Sequence, residues 1–186
     1  MDFLDATIAA LVAYLQTAID NHASIATGAV TVIAGWPDFQ AARDADIAYV
    51  CVTAGDPTTS PTPSRQHSYA AGVTAYDVGS WDGAMQIDVF SRYKDTAQAL
   101  SPVVRAALTD PPFDAGRTLT LSSYHNAKAR VVADGRDVEW DADAVLTGLW
   151  RRTITLAAGG SVIATRSWPA YATSVVDING RTVNVE

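Results

Sequence analysis

Residues 84–108, AMQIDVFSRYKDTAQALSPVVRAAL, decide the fold because one strand in them runs directly into one helix. Apolar and polar side chains alternate from Met85 to Val89, and a period of two is typical of a half-buried antiparallel strand. From Leu100 to Leu108 the apolar residues recur every three or four positions, which predicts a helix with one apolar face. The rest of the chain is expected to supply strands and edges for this unit.

The beginning and the middle of this helix carry two further signals. Asp95 or Thr96 is predicted to cap the first turn, since both side chains can accept a hydrogen bond from a free backbone N–H. Pro102 lacks a backbone donor and clashes with the preceding turn, so we expect a kink there. The alternative is a helix that begins at Ser101, with Pro102 in its first position.

The composition is that of one globular domain, with or without appendages. The chain has 186 residues, of which 48% are apolar, so a complete core can be buried without disulfides or metals. Its 20 acidic and 13 basic residues give a net charge of −7. Proteins that bind DNA or RNA directly usually carry the opposite sign, because phosphate neutralisation supplies most of their affinity. Direct nucleic-acid binding is therefore disfavoured.

The cysteine content and the N-terminus both indicate a soluble protein made in a reducing cytosol. Cys51 is the only cysteine and lies in the apolar run 47–52, so it is expected to be a buried thiol without a disulfide partner. The first apolar stretch has no preceding Lys or Arg and is interrupted by Asp2, Asp5 and Asp20, unlike a signal peptide. No apolar run approaches the roughly 20 residues of a membrane span.

The first half of the chain predicts one more helix and several strands. Residues 2–20 carry apolar side chains at helical spacing, with Asp2 as the N-cap, and this helix is expected to pack on a sheet. Residues 79–83, GSWDG, have the composition of a turn. The almost continuously apolar run 47–52 is expected to be a central strand. The predicted strands are 29–34, 47–52, 70–78 and 84–91.

Residues 55–68, GDPTTSPTPSRQHS, interrupt this pattern. The stretch has three prolines and six Ser or Thr residues but no large apolar side chain, so it cannot fill a core. We expect a long exposed loop. It is either an arm that contacts a neighbouring subunit or a mobile surface loop.

The second half of the chain predicts further strands and a terminal hairpin. Asp134-Gly135 is expected to form a turn, and Gly159-Gly160 to end the strand before it. Asn179-Gly180 stands between two alternating runs, which is the strongest short-range hairpin signal. The predicted strands are 117–122, 128–133, 137–140, 149–156 and 162–165, followed by the hairpin strands 175–178 and 181–185.

These elements together predict an α+β fold. We expect a mostly antiparallel β-sheet with two main helices packed on one face, a long loop and a C-terminal β-hairpin extension. The predicted division is a main domain of residues 1–158 and a C-terminal extension of residues 159–186.

No stretch of the sequence carries a known catalytic or metal-binding motif. The acidic run 134–143 fails the calcium-loop pattern in both possible registers, because Gly and Glu are absent where the loop requires them. His22, His67 and His125 lack ligand spacing, and there is no nucleophile elbow or phosphate-binding loop. No catalytic, cofactor-binding or metal-ligating residue is therefore predicted, and an enzyme is disfavoured.

The tryptophans indicate protein–protein contacts instead. The chain has five, at or near predicted strand ends, and Trp and Arg are enriched at interface hot spots. The alternative is that they occupy corners of the core. The predicted interaction residues are Trp150, Arg151, Arg152, Trp168, Asn179 and Gly180.

The order of these elements resembles the tail terminator, or tail completion, proteins of long-tailed bacteriophages and tail-like particles. The likeness rests on the N-terminal helix before AVTVIAGWP, on the strand–helix unit of residues 85–108, and on DADAVLTGLWRRTITL, residues 141–156. It covers roughly residues 1–157. Residues 161–186 depart from the smallest members of the family.

The resemblance implies a structural virion protein without cofactors. Family members form a six-fold ring at the head-proximal end of the tail, which stops tube growth and gives the head a joining surface. The implied partners are further copies of the chain in a homo-hexamer, the tail tube protein, the head–tail connector or neck proteins and, where a tail has one, the sheath. The protein would be made in the host cytoplasm and reside in the virion. It would bind neither a membrane nor a specific DNA sequence, although DNA would pass through the ring, whose acidic lumen would repel it.

Two alternatives remain open at this point. One is another ring protein of the neck or tail tube. The other belongs to a different class, a small cytosolic enzyme or a ligand-binding α+β domain, which would have a closed apolar pocket.

Overall fold

The computed structural model describes residues 2–44, 47–70, 73–109, 116–140, 147–167, 176–178 and 181–183. It contains three helices in these ranges, α1 Phe3–Asp20, α2 Phe39–Asp44 and α3 Lys94–Ala107. The strands are β1 Val30–Ala34, β2 Ala48–Ala54, β3 Thr58–Ala70, β4 Val73–Ser91, β5 Arg117–Leu121, β6 Ala127–Trp140, β7 Trp150–Ser167, β8 Val176–Ile178 and β9 Arg181–Val183.

One large sheet organises the molecule. Its strand order is β1-β2-β4-β7-β6-β5, and β3 pairs with the same edge of β4 that β2 occupies further along. Among the described strands of this sheet, only β1 and β2 run parallel, and the other neighbouring strands are antiparallel. The predicted α+β class with a mostly antiparallel sheet is confirmed.

Helix α1 forms where the apolar spacing predicts it. The Asp2 carboxylate accepts hydrogen bonds from the N–H groups of Leu4 and Asp5, both at 2.9 Å, and so caps the helix. Leu11, Leu15 and Ile19 are completely buried against the sheet. The helix meets the length and composition of a membrane span, but a core helix of a soluble protein meets the same criterion.

The strand–helix unit of residues 84–108 is present as the second half of β4 followed by α3. Leu100 and Val104 are buried in the core that α1 also enters. Pro102 lies inside the helix, whereas the predicted capping by Asp95 or Thr96 is wrong. The residue before the helix is Tyr93, whose extended backbone begins the turn without a side-chain cap.

The predicted long loop at residues 55–68 is wrong, because most of it forms β3. Gly55 donates its N–H to the carbonyl of Ala84 at 3.0 Å, so the chain stays on the edge of β4 as it passes from β2 to β3. Opposite β3, a Cβ on Gly79 would lie 2.7 Å from the carbonyl oxygen of Ser60. A glycine is needed there for the two strands to approach, and a proline-rich segment joins the sheet as its edge.

Three predicted turns are also wrong, because their residues lie inside strands. They are residues 79–83, Asp134-Gly135 and Gly159-Gly160. Strands β4, β6 and β7 run through them, although the register shifts between Asp134 and Val138. A Cβ on Gly160 would lie 2.9 Å from Nε1 of Trp81, and Trp81 is completely buried. Gly160 therefore makes room for a large side chain. Strand β7 also continues through the predicted domain boundary at residue 158.

The C-terminal strands β8 and β9 form a separate two-stranded sheet. They pair antiparallel, with Val176 opposite Val183 and Ile178 opposite Arg181. This register leaves residues 179 and 180 between the two strands.

The large sheet has two different faces. Alternate residues of its central strands, such as Val50, Ile87 and Ile154, are completely buried in the core beneath α1 and α3. We call this side the helical face. The residues between them belong to the second face, where Ala42 of the short helix α2 forms a smaller buried cluster with Cys51, Phe90 and Leu149.

Candidate functional site: an arginine among tryptophans on the second face

The structure separates the three consecutive residues Trp150, Arg151 and Arg152. They begin β7, so their side chains alternate between the two faces. Trp150 packs against the core of the helical face, with Nζ of Lys94 at 4.6 Å from its ring centroid. Arg152 binds the Glu139 carboxylate at 3.2 Å. Arg151 alone belongs to the second face. The other predicted interaction residues, Trp168, Asn179 and Gly180, lie outside the described residues.

Arg151 forms a salt bridge that is mostly withdrawn from solvent. Its Nε donates to Oδ1 of Asp88 at 2.8 Å, and the Asp88 side chain is completely buried while that of Arg151 is 18% exposed. Asp88 faces this side because it alternates with Ile87 and Val89, both buried on the helical face. A buried carboxylate needs such compensation, since an unpaired charge in the interior is very costly.

Further hydrogen bonds complete the shell of Asp88. The Gln86 Nε2 donates to Oδ2 at 2.6 Å, and the Thr153 hydroxyl donates to Oδ1 at 2.5 Å. Trp140 Nε1 in turn donates to the Thr153 hydroxyl oxygen at 2.9 Å. This chain of hydrogen bonds links the indole of Trp140 to the buried carboxylate and fixes the orientation of the ring.

Three aromatic rings surround the Arg151 guanidinium. Its Cζ lies 4.9 Å from the ring centroid of Trp36, 5.4 Å from that of Trp140 and 5.7 Å from that of Phe90. Attraction between a guanidinium and an aromatic face operates at these distances. We call Trp36, Phe90, Trp140 and Arg151 the aromatic patch.

Trp36 lies in this patch because the chain turns at the end of β1. Gly35 adopts φ +79, and its N–H donates to the carbonyl of Val52 at 2.8 Å. This left-handed turn favours glycine, and the chain then continues through Pro37 into α2. Trp36 packs edge-on to Phe90 with ring centroids 5.8 Å apart.

The patch presents an unusual amount of aromatic surface to solvent. Trp36 is 50% exposed and Trp140 is 43% exposed, while the neighbouring Val138 on β6 is 41% exposed. Phe90, beneath them, is 1% exposed. Exposed tryptophans held rigidly around an arginine are characteristic of interaction surfaces, because they lose little conformational entropy when a partner binds.

Cys51 lies beside this site without being part of a reactive centre. It pairs with Asp88 across β2 and β4. Burial, followed by the nearby negative charge of Asp88, raises the pKa of the Cys51 thiol to about 12. The thiol therefore stays protonated at neutral pH and behaves as a small apolar group.

The helical side of the molecule also carries a concave surface. An apolar groove lies between residues 24–30 and the N-terminal half of α3, with Ile25, Leu100 and Val103 among its lining residues. Among the described residues, no group of three or more His, Cys, Asp or Glu side chains is placed to hold a metal ion.

Comparison with known proteins adds no relative to this description. No protein-family model matches the chain, and no curated protein matches it.

Sequence reasoning found Arg151 but missed its partners. Asp88 stood out in the sequence as a carboxylate inside an apolar strand, and that signal could have marked it. Trp36 and Trp140 are 104 positions apart in the chain, and no sequence spacing indicates that they flank one guanidinium.

Proposed function

We propose that this chain is a structural virion protein that forms a ring at the head-proximal end of a bacteriophage tail. The ring ends growth of the tail tube and provides the surface that joins the head. In this role the protein is a scaffold and not an enzyme. Its partners are further copies of itself in a hexamer, the tail tube protein and the head–tail connector or neck proteins.

The observation that carries the proposal is the strand–helix unit at the centre of the molecule. It is one of the three stretches on which the sequence resemblance rests, and it is built as the second half of β4 followed by α3. Helix α1 precedes β1 and packs with α3 over the same core. The succession of helix, strands, helix and closing strands supports the proposal, although the long loop expected in that order is strand β3.

The surfaces of the molecule support an assembly role. Strand β3 and the paired parts of β4 and β7 form an arm, residues 58–70, 73–82 and 159–167, in which residues 58–66 are exposed. The aromatic patch offers a rigid contact surface at the other end of β4. The net charge of −7 suits a channel through which DNA slides, because like charge prevents the DNA from adhering.

In this proposal the C-terminal hairpin contacts a neighbour in the tail. A two-stranded hairpin is marginally stable by itself in water, and β8 and β9 pair only with each other among the described strands. A chain truncated after Ser167 keeps β7 complete and tests this role. Tails of normal length and normal head joining with the truncated chain would contradict it.

The test of the function is removal of the coding sequence from the phage or prophage that carries it. We expect tails of irregular length and heads that fail to join, with both defects restored by the gene supplied in trans. Imaging of purified protein by electron microscopy is expected to show six-fold rings. Normal tail length and normal joining in the deletion would overturn the proposal.

A further inference from the structure

We propose that the ring is closed by a contact between two different surfaces of the chain: the proline segment of one copy docks on the aromatic patch of the next. The proline segment is residues 58–64, TTSPTPS, on the outer edge of β3. The inference rests on the proposed ring and names the contact that holds neighbouring copies together.

The proline segment is accessible for contacts with another molecule. All seven of its residues are exposed. Pro61 lies opposite Gly79 and Arg65 lies opposite Asp77, so three residues of β3, numbers 62–64, oppose one residue of β4. The segment therefore bulges out of the ladder around Pro63, and among the described strands β3 pairs with β4 alone.

Proline and tryptophan are chemically matched. A proline ring is apolar and rigid and has no backbone donor to satisfy, so proline-rich segments dock on aromatic-lined surfaces with little loss of entropy. Trp36 and Trp140 supply two such rings, fixed around Arg151. The indole N–H of Trp36 can donate to the backbone carbonyls of the segment at the rim, whereas the indole N–H of Trp140 is already bound to Thr153.

Neither surface would bury an unpaired charge. The proline segment has no charged residue between Asp56 and Arg65. The charge of Arg151 on the patch is matched by Asp88 beneath it. An unpaired ion at a contact is costly, and both sides of this contact avoid that cost.

The two surfaces cannot meet within one molecule. Pro61 lies opposite Gly79 on β4, whereas the patch contains Phe90 on the same strand. The eleven residue-to-residue steps from Gly79 to Phe90 along β4 span about 36 Å, at roughly 3.3 Å per step. The contact must therefore join different copies. A head-to-tail contact of this kind closes into a ring when its rotation allows.

On the same side of the sheet as β3, the outer edge of β1 is closed to strand addition. Gln16 of α1 covers the outer edge of β1, where its Oε1 accepts from the Val32 N–H at 2.8 Å and its Nε2 donates to the Val30 carbonyl at 3.2 Å. This carboxamide takes the place of a neighbouring strand. An incoming chain would have to displace it, so addition of a strand at β1 is blocked.

The experiment uses two full-length variants, each with one surface removed. The arm variant carries P61A and P63A, and the patch variant carries W36A. Matched controls are T62A on the same segment and Y93A, an exposed aromatic residue at 52% that lies outside the patch. Circular dichroism and urea unfolding establish that each variant folds, and sedimentation equilibrium gives the association constants.

We expect the wild-type chain and both controls to associate equally, and each variant to associate about 30-fold more weakly, as for loss of an interface hot spot. A mixture is the decisive sample. The arm variant keeps an intact patch and the patch variant keeps an intact arm, so together they form one productive contact. The mixture should give a one-to-one dimer and nothing larger.

Three outcomes would overturn the inference. Either variant could associate as strongly as the wild type, the wild-type chain could stay monomeric, or the mixture of the two variants could remain monomeric. These outcomes are separable from failure of the proposed function, because tail length in the deletion phage is measured independently. Normal tails from the arm variant would mean that the ring is held by another contact. Normal tails from the deletion would mean that the proposed function is wrong.

Discussion

The two faces of the large sheet differ in what their central residues are used for. Ile87 and Asp88 are neighbours in β4, and both are completely buried. Ile87 belongs to the aliphatic core beneath the two long helices. Asp88 holds Arg151 and, through Thr153, the indole of Trp140. The helical face is stabilised by apolar burial. On the second face, a buried ion pair fixes the geometry of an exposed surface.

This difference indicates why the second face contains a buried ion pair, although burying two charges costs desolvation energy. A buried salt bridge contributes little net stability, because desolvation offsets its Coulomb attraction. Its effect is to fix geometry. The guanidinium of Arg151 cannot turn away while Asp88 holds its Nε, and the rings of Trp36 and Trp140 are positioned around it.

The largest effect is expected from Arg151→Ala. It leaves the Asp88 carboxylate buried without its partner, and removal of one member of a buried ion pair costs about 3–5 kcal/mol. Urea unfolding of the pure protein measures this. Arg65→Ala removes an arginine from the exposed edge of the arm and should change the free energy of unfolding by less than about 0.5 kcal/mol.

A double variant, Asp88→Leu with Arg151→Met, tests whether the ion pair fixes geometry without adding much net stability. It removes both charges at once, so it should recover most of the stability that Arg151→Ala loses. It should nevertheless weaken self-association, because the guanidinium no longer holds the two indoles. A double variant as unstable as the single one would show that the second face depends on the pair for stability.

The next effect is expected on the helical face. Ile87→Ala removes a completely buried side chain, and such truncations cost about 2–5 kcal/mol according to how far the core collapses. Gln86→Ala, at the preceding position on the second face, should cost less, because Asp88 keeps Arg151 and Thr153 as partners. Ile87→Ala should leave self-association unchanged at concentrations where it is folded. Equal costs for the two changes would remove the contrast between the faces.

Sequence reasoning succeeded where a periodicity was long and unbroken. The spacing of apolar residues located α1 with its Asp2 cap, and the change from strand to helical period after residue 91 located the passage from β4 to α3. These signals are local, because a helix or a half-buried strand repeats its environment every few residues. The central position of β2 was likewise readable from its continuous apolar run.

Sequence reasoning failed where glycine or proline serves a tertiary contact. Gly160 lies against Trp81, and Gly79 against the backbone of Ser60, so both are needed for close approach and neither makes a turn. Pro61 sits on an exposed edge, where its missing donor costs nothing. The aromatic patch depends on four chain segments meeting, and no local pattern carries that information.

The Cys51 thiol gives a smaller, pH-dependent effect. Its pKa is about 12 in the folded protein against 9.0 for an unperturbed thiol. Because the folded value is the higher one, its stabilising effect is complete below pH 9 and is lost as the pH rises toward 12. Above pH 9 the wild type should lose about 1.4 kcal/mol of stability per pH unit relative to Cys51→Ala. Denaturant titrations of both proteins from pH 8 to 10.5 measure this, and parallel curves would contradict it.

The smallest effect concerns the ion cluster at the rim of the helical face. Hydrogen bonds from Lys94 and then from Gln98 hold the pKa of Glu139 below its ordinary value, and the Lys94 Nζ lies 2.7 Å from the carboxylate. The depressed pKa means that the stabilising effect is present above the ordinary value and is lost as the pH falls through the lowered one. Lys94→Met should therefore raise the pKa of Glu139, as followed by NMR titration of its carboxyl carbon.

The control is Lys128→Met, which removes the same charge from a lysine that binds Thr120 instead and should leave the pKa of Glu139 unchanged. A shift of equal size in both variants would mean that net charge, and not the Lys94 contact, holds Glu139 ionised, and the rim of the helical face would then lack the directed polar bonding found around Asp88.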